Sequence, residues 1–435
     1  MNQLTTKSLT PRKRRDDRAW TARVLFSGTA ITNPRPRFLP LGKTVIGRAA
    51  EGHHDLCFAS DAAMSRRHAT VERTRSGLVL HDHSRNGSLL NREKASGVAL
   101  ADGDIVRCGN TFVLLRLEPI DPDDAHVEGF LGVSSRARQV RVEIARVAAT
   151  DTTVVLHGET GTGKGLAARA IHELSTRSGP WLQLNCAAIP ETLAESTLFG
   201  HVKGAFTHAE RAQPGYFVDA HGGTLFIDEI GDLDLKLQPK ILTVLDHSEV
   251  TPVGGTRPVS FDTRLIAASH RDLGDEVAAG RFRADLHARL AAITIRIPPL
   301  RERIEDMLGM LETRLGEHAP LTADLIDALV HYHWPYNARE VERVATELSV
   351  RGKGLAELDI DLIEDRLLAA ASTPEPTATP ETTTQAPPTQ LELEALLKKH
   401  AGRVSSLARE VGRSTKQVYR WLSKHGLNPE DFRNP

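Results

Sequence analysis

The stretch Gly158-Glu159-Thr160-Gly161-Thr162-Gly163-Lys164 constrains this chain more than any other. An apolar run, Thr152 to His157, precedes it, and a helical pattern through Leu174 follows. Strand, glycine-rich turn and helix in that order point to a parallel α/β sheet with the turn at the carboxyl end of its strand. The glycines let backbone N–H groups turn inward around an anion, the helix N-terminus adds partial positive charge, and Lys164 neutralises the outer phosphates. Gly158, Glu159, Thr160, Gly161, Thr162, Gly163, Lys164 and Gly165 are therefore the expected nucleotide-binding residues. Gly165 stands where the general loop carries a Ser or Thr hydroxyl for magnesium. A second apolar run, Thr224-Leu225-Phe226-Ile227, ends in Asp228-Glu229. Carboxylates at the end of a buried strand suit a cation and an attacking water: Asp228 is expected to hold magnesium, and Glu229 to activate the water.

The chain has 435 residues, too many for one ordinary core, so two to four domains are expected. A net charge of −1 makes any nucleic-acid affinity local. Cys57, Cys108 and Cys186 lie far apart, which argues for a reducing compartment and against a disulfide frame or zinc site. No apolar run approaches about 18 residues and the N-terminus is polar, so the expected location is the cytoplasm, with no membrane contact. Residues 1–21, with Arg12-Lys13-Arg14-Arg15, read as a solvated tail. Residues 22–118 carry short alternating apolar runs separated by Gly and Asn, the pattern of a β-sandwich. Residues 119–129 read as a linker, 130–300 as the α/β core and 301–370 as a helical lid. Residues 371–390, rich in Pro and Thr, read as an extended linker. Residues 391–435 read as three short helices with turns at Gly402 and Gly412.

The α/β segment resembles the central domain of sigma-54-dependent activators, bacterial regulators of the AAA+ class. The likeness rests on the phosphate loop together with Leu184-Asn185-Cys186-Ala187-Ala188, Glu195 to His201, Gly204-Ala205-Phe206-Thr207-His208-Ala209, Gly222 to Ile230 and Pro298 to Arg303. The family also lacks the magnesium hydroxyl, usually having Glu at that position, so Gly165 is a smaller departure than the general loop suggests. The resemblance implies further roles. Asn185 would pair with the catalytic Glu in a nucleotide switch. Arg283 and Arg289 would be fingers reaching a neighbour's nucleotide, which requires a homo-oligomeric ring, in this family a hexamer. Arg339 would sense the γ-phosphate, and Phe206 and Thr207 would touch sigma-54. Three motifs depart from the family pattern: His208 replaces a Gly, Ser269-His270 replaces Thr-Asn, and Tyr336 replaces a Gly.

Gly47-Arg48, Ser65-Arg66-Arg67-His68 and Asn86-Gly87-Ser88 with Asn91 resemble a forkhead-associated (FHA) domain. Arg48, Ser65 and Arg66 would donate to a phosphothreonine and Asn86 would bind the ligand backbone, with His68 a structural loop residue. The C-terminal helices resemble a Fis-type helix-turn-helix. From Leu391 to Pro435, nine Lys or Arg face five Asp or Glu, a local balance suited to DNA phosphates. Thr415, Lys416, Gln417 and Arg420 are the expected DNA contacts, and Trp421 is expected in the core. The combined expectation is a regulator that uses ATP and magnesium to remodel sigma-54 RNA polymerase holoenzyme, gated by phosphothreonine. The alternative is a DNA-binding scaffold or repressor whose AAA+ fold assembles on nucleotide without acting on sigma-54.

Overall fold

The structure is a computed structural model. It describes residues 18–367, apart from 33, 34, 50, 51, 54, 121, 122 and 208, then 390–400, 407, 418, 421, 422, 425, 427 and 432. The chain forms two compact units, Met1–Thr373 and Pro374–Pro435.

The first unit opens with the expected sandwich. Its first strand is Arg18–Ser27, so it starts ahead of the boundary expected at residue 22. Arg18 to Thr21 pair with Pro119 to Arg116, extending the antiparallel ladder that runs to Phe26 opposite Phe112. The polar side chains at this end are held internally. Thr21 Oγ1 donates to Glu118 Oε1 at 2.6 Å, and buried Arg23 pairs with Glu118 at 2.7 Å. The facing sheet runs, in spatial order, Val98–Leu100, Gly77–Asp82, Ala69–Thr74, Gly42–Gly47, Leu56–Cys57. Inward residues of both sheets, among them Ala22, Ile46, Val71, Leu80 and Val113, make its core.

The second domain is a five-stranded parallel sheet. Its spatial order is Trp181–Asn185, Thr224–Asp228, Arg264–Ser269, Val154–His157, Ile293–Arg296. Alternate side chains enter different cores. Val155, Leu225, Ile227, Leu265 and Ala267 pack on one face, and Val154, Leu156, Phe226, Ile266 and Ala268 on the other. With both faces covered, the strands read as continuous apolar runs. The helix Ser135–Ala148 closes one face, and its first turn is capped by Ser134, whose Oγ accepts from Ala137 N at 3.0 Å. The lid helices Ile304–Leu315, Ala323–Val330 and Asn337–Arg351 follow.

Described residues within the expected linker, 119–129, are held by the fold. Pro119 ends a strand, Val127 is buried, and Asp124 forms a two-pronged pair with Arg141, at 2.9 Å to Nε and to Nη2. The sandwich and lid share one apolar core: Leu25, Phe26, Ile105, Phe112 and Leu114 pack with Met307, Leu308, Leu311, Leu325 and Leu329. Arg116 pairs with Glu305 inside this seam at 3.0 Å, and Arg107–Asp324 and Arg92–Asp327 lie at its rim at 3.0 and 2.8 Å.

In the second unit the helix Gln390–Lys399 packs Leu393 and Leu397 with Leu407, Val418 and Leu422, and Trp421 lies against them. Thr415, Lys416, Gln417 and Arg420 lie outside the described residues, as do His208 and the Pro/Thr-rich segment. Among the described residues, no helix is long and apolar enough to cross a membrane.

Candidate nucleotide site and peptide-reading loops

The phosphate loop follows Val154–His157 and leads into the helix Lys164–Glu173. Gly161 and Gly163 have φ of 80° and 106°, a region L side chains rarely enter. Gly161 is required twice over, because a Cβ there would lie 2.1 Å from the Tyr336 carbonyl oxygen. Thr162 is buried, and its hydroxyl donates to Glu159 O at 2.8 Å. Lys164 is buried too. Its Nζ donates to Gly158 O at 2.8 Å and lies 3.7 Å from Glu229 Oε1. Burial lowers the Lys164 pKa against the pull of Glu229 and Asp228.

Asp228 ends the strand Thr224–Asp228 and Glu229 follows it, both beside that lysine. Burial and the neighbouring Glu229 push the Asp228 carboxyl up. A dication would relieve that repulsion, and a half-buried carboxylate beside phosphates is the hard oxygen donor magnesium takes. Asp228 therefore fits the metal role, with Gly165 contributing no side chain. Burial alone would also raise Glu229; hydrogen bonds from His270 and the charge of Lys164 outweigh it and hold this carboxyl below its usual value. Glu229 sits in left-handed backbone at φ 53°, a strain of about 1 kcal/mol for a residue with a Cβ.

The expected pairing of Asn185 with Glu229 is not what the structure places there. Asn185 Oδ1 accepts from Ala187 N at 2.9 Å, capping the short turn Cys186–Ala188. Glu229 is held instead by His270, whose Nδ1 lies 2.6 Å from Oε2. Arg339, in the lid helix Asn337–Arg351, faces this site: its charge bears on both Lys164 and Asp228. Arg283 and Arg289 have other described partners. Arg283 pairs with Asp285 at 2.8 Å, and Arg289 with Asp246 at 3.2 Å and Leu245 O at 2.9 Å. Tyr336 costs no strain as a Gly replacement, because its φ is −109°; the positive φ values fall on Trp334 and Asn337.

Sequence reading assigned no role to the clasp around the loop. Arg301 donates twice to Glu159, at 2.9 and 2.6 Å, and Asn337 Nδ2 donates to Glu159 Oε2 and Thr160 O at 3.2 and 3.0 Å. Arg303, buried, donates to Thr162 O at 2.9 Å. The available signal was the charged run Arg301-Glu302-Arg303-Ile304-Glu305-Asp306 at a domain joint.

The loop 200–214 begins and ends in a two-stranded ribbon, Gly200 with Pro214 and His201 with Gln213. Ala209 is buried, and Phe206 and Thr207 are exposed at its turn, Phe206 against the His201 ring at 4.9 Å.

At one end of the sandwich three loops converge. Arg48 N donates to Ser65 O and Ala49 N to Arg66 O, both at 3.0 Å, and His83 N donates to His68 O at 2.8 Å. The first two loops touch because residue 47 is glycine: a Cβ there would lie 2.2 Å from Arg66 O. Arg48, Arg66 and Asn86 are exposed and Ser65 half-buried. His68 is buried, and its Nδ1 accepts from Ser65 N at 3.0 Å, a structural role as expected. Asn91 is structural as well, donating to Asp104 and accepting from Ile105 N, both at 2.9 Å.

Residues 130–296 match the sigma-54 interaction domain family and residues 44–109 the FHA domain family. The transcriptional regulatory protein ZraR of Salmonella typhimurium is 42% identical over 68% of this chain and 68% of its own length. This chain belongs to the sigma-54-dependent transcriptional regulators. NorR of Vibrio vulnificus, an anaerobic nitric oxide reductase transcription regulator, is 45% identical over 54% of this chain and 48% of its own length. The crystal structure of NtrX from Brucella abortus in complex with ATP is 29% identical, with a TM-score of 0.51, over 69% of each chain. Membership makes the central domain a nucleotide-binding domain of ATPase type and ties the chain to transcription through sigma-54. In this chain the FHA domain precedes the sigma-54 interaction domain.

Proposed function

We propose that this regulator hydrolyses ATP with magnesium and uses the cycle to remodel sigma-54 RNA polymerase holoenzyme. It would act from an upstream DNA site bound through its C-terminal helices, under control of phosphothreonine recognition. The reading is carried by the convergence of Lys164, Asp228, Glu229 and Arg339 around one phosphate loop. Bound magnesium, held by Asp228, would neutralise charge on the phosphates. Lys164 and the loop N–H groups hold the triphosphate. Glu229 orients a water and takes its proton as the water oxygen bonds to the γ-phosphorus, the bond to the β,γ-bridging oxygen breaks, and ADP leaves. Arg339 senses the γ-phosphate. Arg283, capping the helix Ala284–Leu290, and Arg289 in its last turn are exposed, as fingers acting on a neighbour's nucleotide would be, so the active form is a ring, by family a hexamer. Phe206 and Thr207, exposed on their loop, meet sigma-54.

Two lines of contact support phosphothreonine control. The reading loop 84–88 runs straight into the hairpin of Leu89–Leu90 and Glu93–Lys94, whose turn residue Arg92 pairs with Asp327 of the lid. Arg116 of the sandwich holds Glu305, while Arg303, two positions earlier, holds Thr162 of the phosphate loop. A ligand that shifts the sandwich therefore bears on the lid and the loop together. ATP turnover measured against protein concentration tests the motor: the rate per chain should rise with concentration and vanish in Glu229→Gln. A flat, low rate that Glu229→Gln leaves unchanged would favour the scaffold reading.

A further inference from the structure

We propose that His270 is the positioning residue of Glu229, fixing which carboxylate oxygen faces the nucleotide. This rests on the reading that Glu229 activates the water. Two donors from one residue converge on one oxygen: His270 Nδ1 at 2.6 Å and His270 N at 3.2 Å, both to Oε2. The other oxygen, Oε1, is left toward Lys164, 3.7 Å from its Nζ. The carboxylate is thus anchored at its far oxygen and presents its near one to the phosphate-binding lysine. A base whose orientation is set by a third group is the logic of hydrolytic triads, carried here by a histidine and a glutamate.

The anchor is built into the sheet. Glu229 follows the strand Thr224–Asp228 and His270 follows Arg264–Ser269, its parallel neighbour. The turn carrying His270 is pinned on both sides. Ser269 Oγ donates to Arg271 O at 2.8 Å and accepts from Arg271 N at 3.0 Å, and Ser269 O accepts from Gly158 N of the phosphate loop at 3.3 Å. The left-handed backbone at Glu229 needs such an over-determined setting to persist. The described hydrogen bond of the Asn185 side chain is to Ala187 N, and the described partners of the Glu229 carboxylate are His270 and Lys164. Glu229, Asp232 and His270 lie close enough together to suggest a metal site, but Asp232 is already paired with Arg271 at 2.8 Å and Glu229 with its own two partners. The cluster is an internally satisfied network that orients one carboxylate. The family's Thr-Asn at these positions, replaced here by Ser269-His270, is thus answered by a substitute donor.

The test uses the full chain and four proteins: wild type, His270→Ala, His270→Asn and Glu229→Gln. Nucleotide affinity is read with a fluorescent ATP analogue, and turnover by phosphate release. His270→Ala keeps the backbone donor and loses the ring, so kcat should fall roughly tenfold, the scale of a slightly misplaced catalytic group, with affinity unchanged. His270→Asn should recover most of that loss, because an amide Nδ2 can donate from nearly the place of imidazole Nδ1. Unchanged turnover in His270→Ala with Glu229→Gln inactive would overturn the positioning role alone, as would an Asn variant no better than Ala. Full turnover in Glu229→Gln would overturn the underlying reading and the proposal with it.

Discussion

The phosphate loop and the loops at the end of the sandwich are the two candidate anion sites, and they are built on opposite plans. At the phosphate loop the central charges are paired within the chain: Lys164 with Gly158 O and Glu229, Glu159 with Arg301 and Asn337, Glu229 with His270. At the end of the sandwich the backbone is fixed, while the Arg48 and Arg66 side chains are exposed with no described partner. A triphosphate entering the first site must draw Lys164 from its internal acceptors, so binding is coupled to rearrangement. A phosphopeptide entering the second meets free donors and needs little movement. The difference would suit a motor that changes shape with its nucleotide and a preformed reader whose occupancy is passed on through the apolar seam it shares with the lid.

The largest expected effects fall on the self-paired site. Lys164→Ala should abolish measurable nucleotide binding, and Glu229→Gln should keep binding while losing turnover by at least about 100-fold, the usual weight of a general base. Equal nucleotide affinity in Lys164→Ala would break the comparison, because the internal network would then not be the ligand site. Next comes the seam between the two sites. Burial pushes the Glu305 carboxyl up against the pull of Arg116. Removing this acid strands a buried guanidinium, so Glu305→Ala should cost about 3–5 kcal/mol in denaturant unfolding. Arg92→Ala at the exposed rim should cost about 0–1 kcal/mol. Similar losses from both would mean the seam is no closed core.

Smaller is the reader's own response. In calorimetric titrations Arg48→Ala should weaken phosphothreonine peptide binding by at least about 1.5 kcal/mol, roughly tenfold, the scale of one charged hydrogen bond. Equal binding of phosphorylated and unphosphorylated peptides would remove the reader from the account. The smallest effect is pH-dependent. Burial would raise the Asp82 carboxyl, but hydrogen bonds from Ser88 and Ser84 outweigh it and hold it below its usual value. A depressed folded pKa gives stability that is present above the unfolded pKa near about 4 and is lost as pH falls through the folded one. Asp82→Asn should therefore melt lower than wild type at pH 7, with the gap closing below about pH 4. A gap that does not narrow in acid would place the loop's stability elsewhere.

These regions were also unequally legible. The phosphate loop is written in contiguous residues, and glycine, lysine and the flanking elements suffice to find it. The reading loops were found through three separate short motifs, and Gly47 explains why two of them touch. The start of the sandwich was missed because Ala19, Trp20 and Thr21 directly follow the charged run Arg12 to Arg18, and only pairing with Glu118 and its neighbours makes them strand. The seam was missed for a subtler reason. Phe112-Val113-Leu114-Leu115 is a continuous apolar run, the mark of a strand buried on both faces. Val113 and Leu115 serve the sandwich core, while Phe112 and Leu114 serve the lid. The His270 contact was out of reach, since it depends on two strand ends meeting in space.

The central claim is that nucleotide turnover at this site drives work on sigma-54 polymerase. Its most direct test is open-complex formation on a sigma-54 promoter, with purified holoenzyme, full-length protein and ATP, scored by single-strand reactivity of the melted DNA. The account predicts open complexes with wild type and none with Glu229→Gln or with a non-hydrolysable ATP analogue. Steady ATP turnover by wild type without any promoter opening would contradict it.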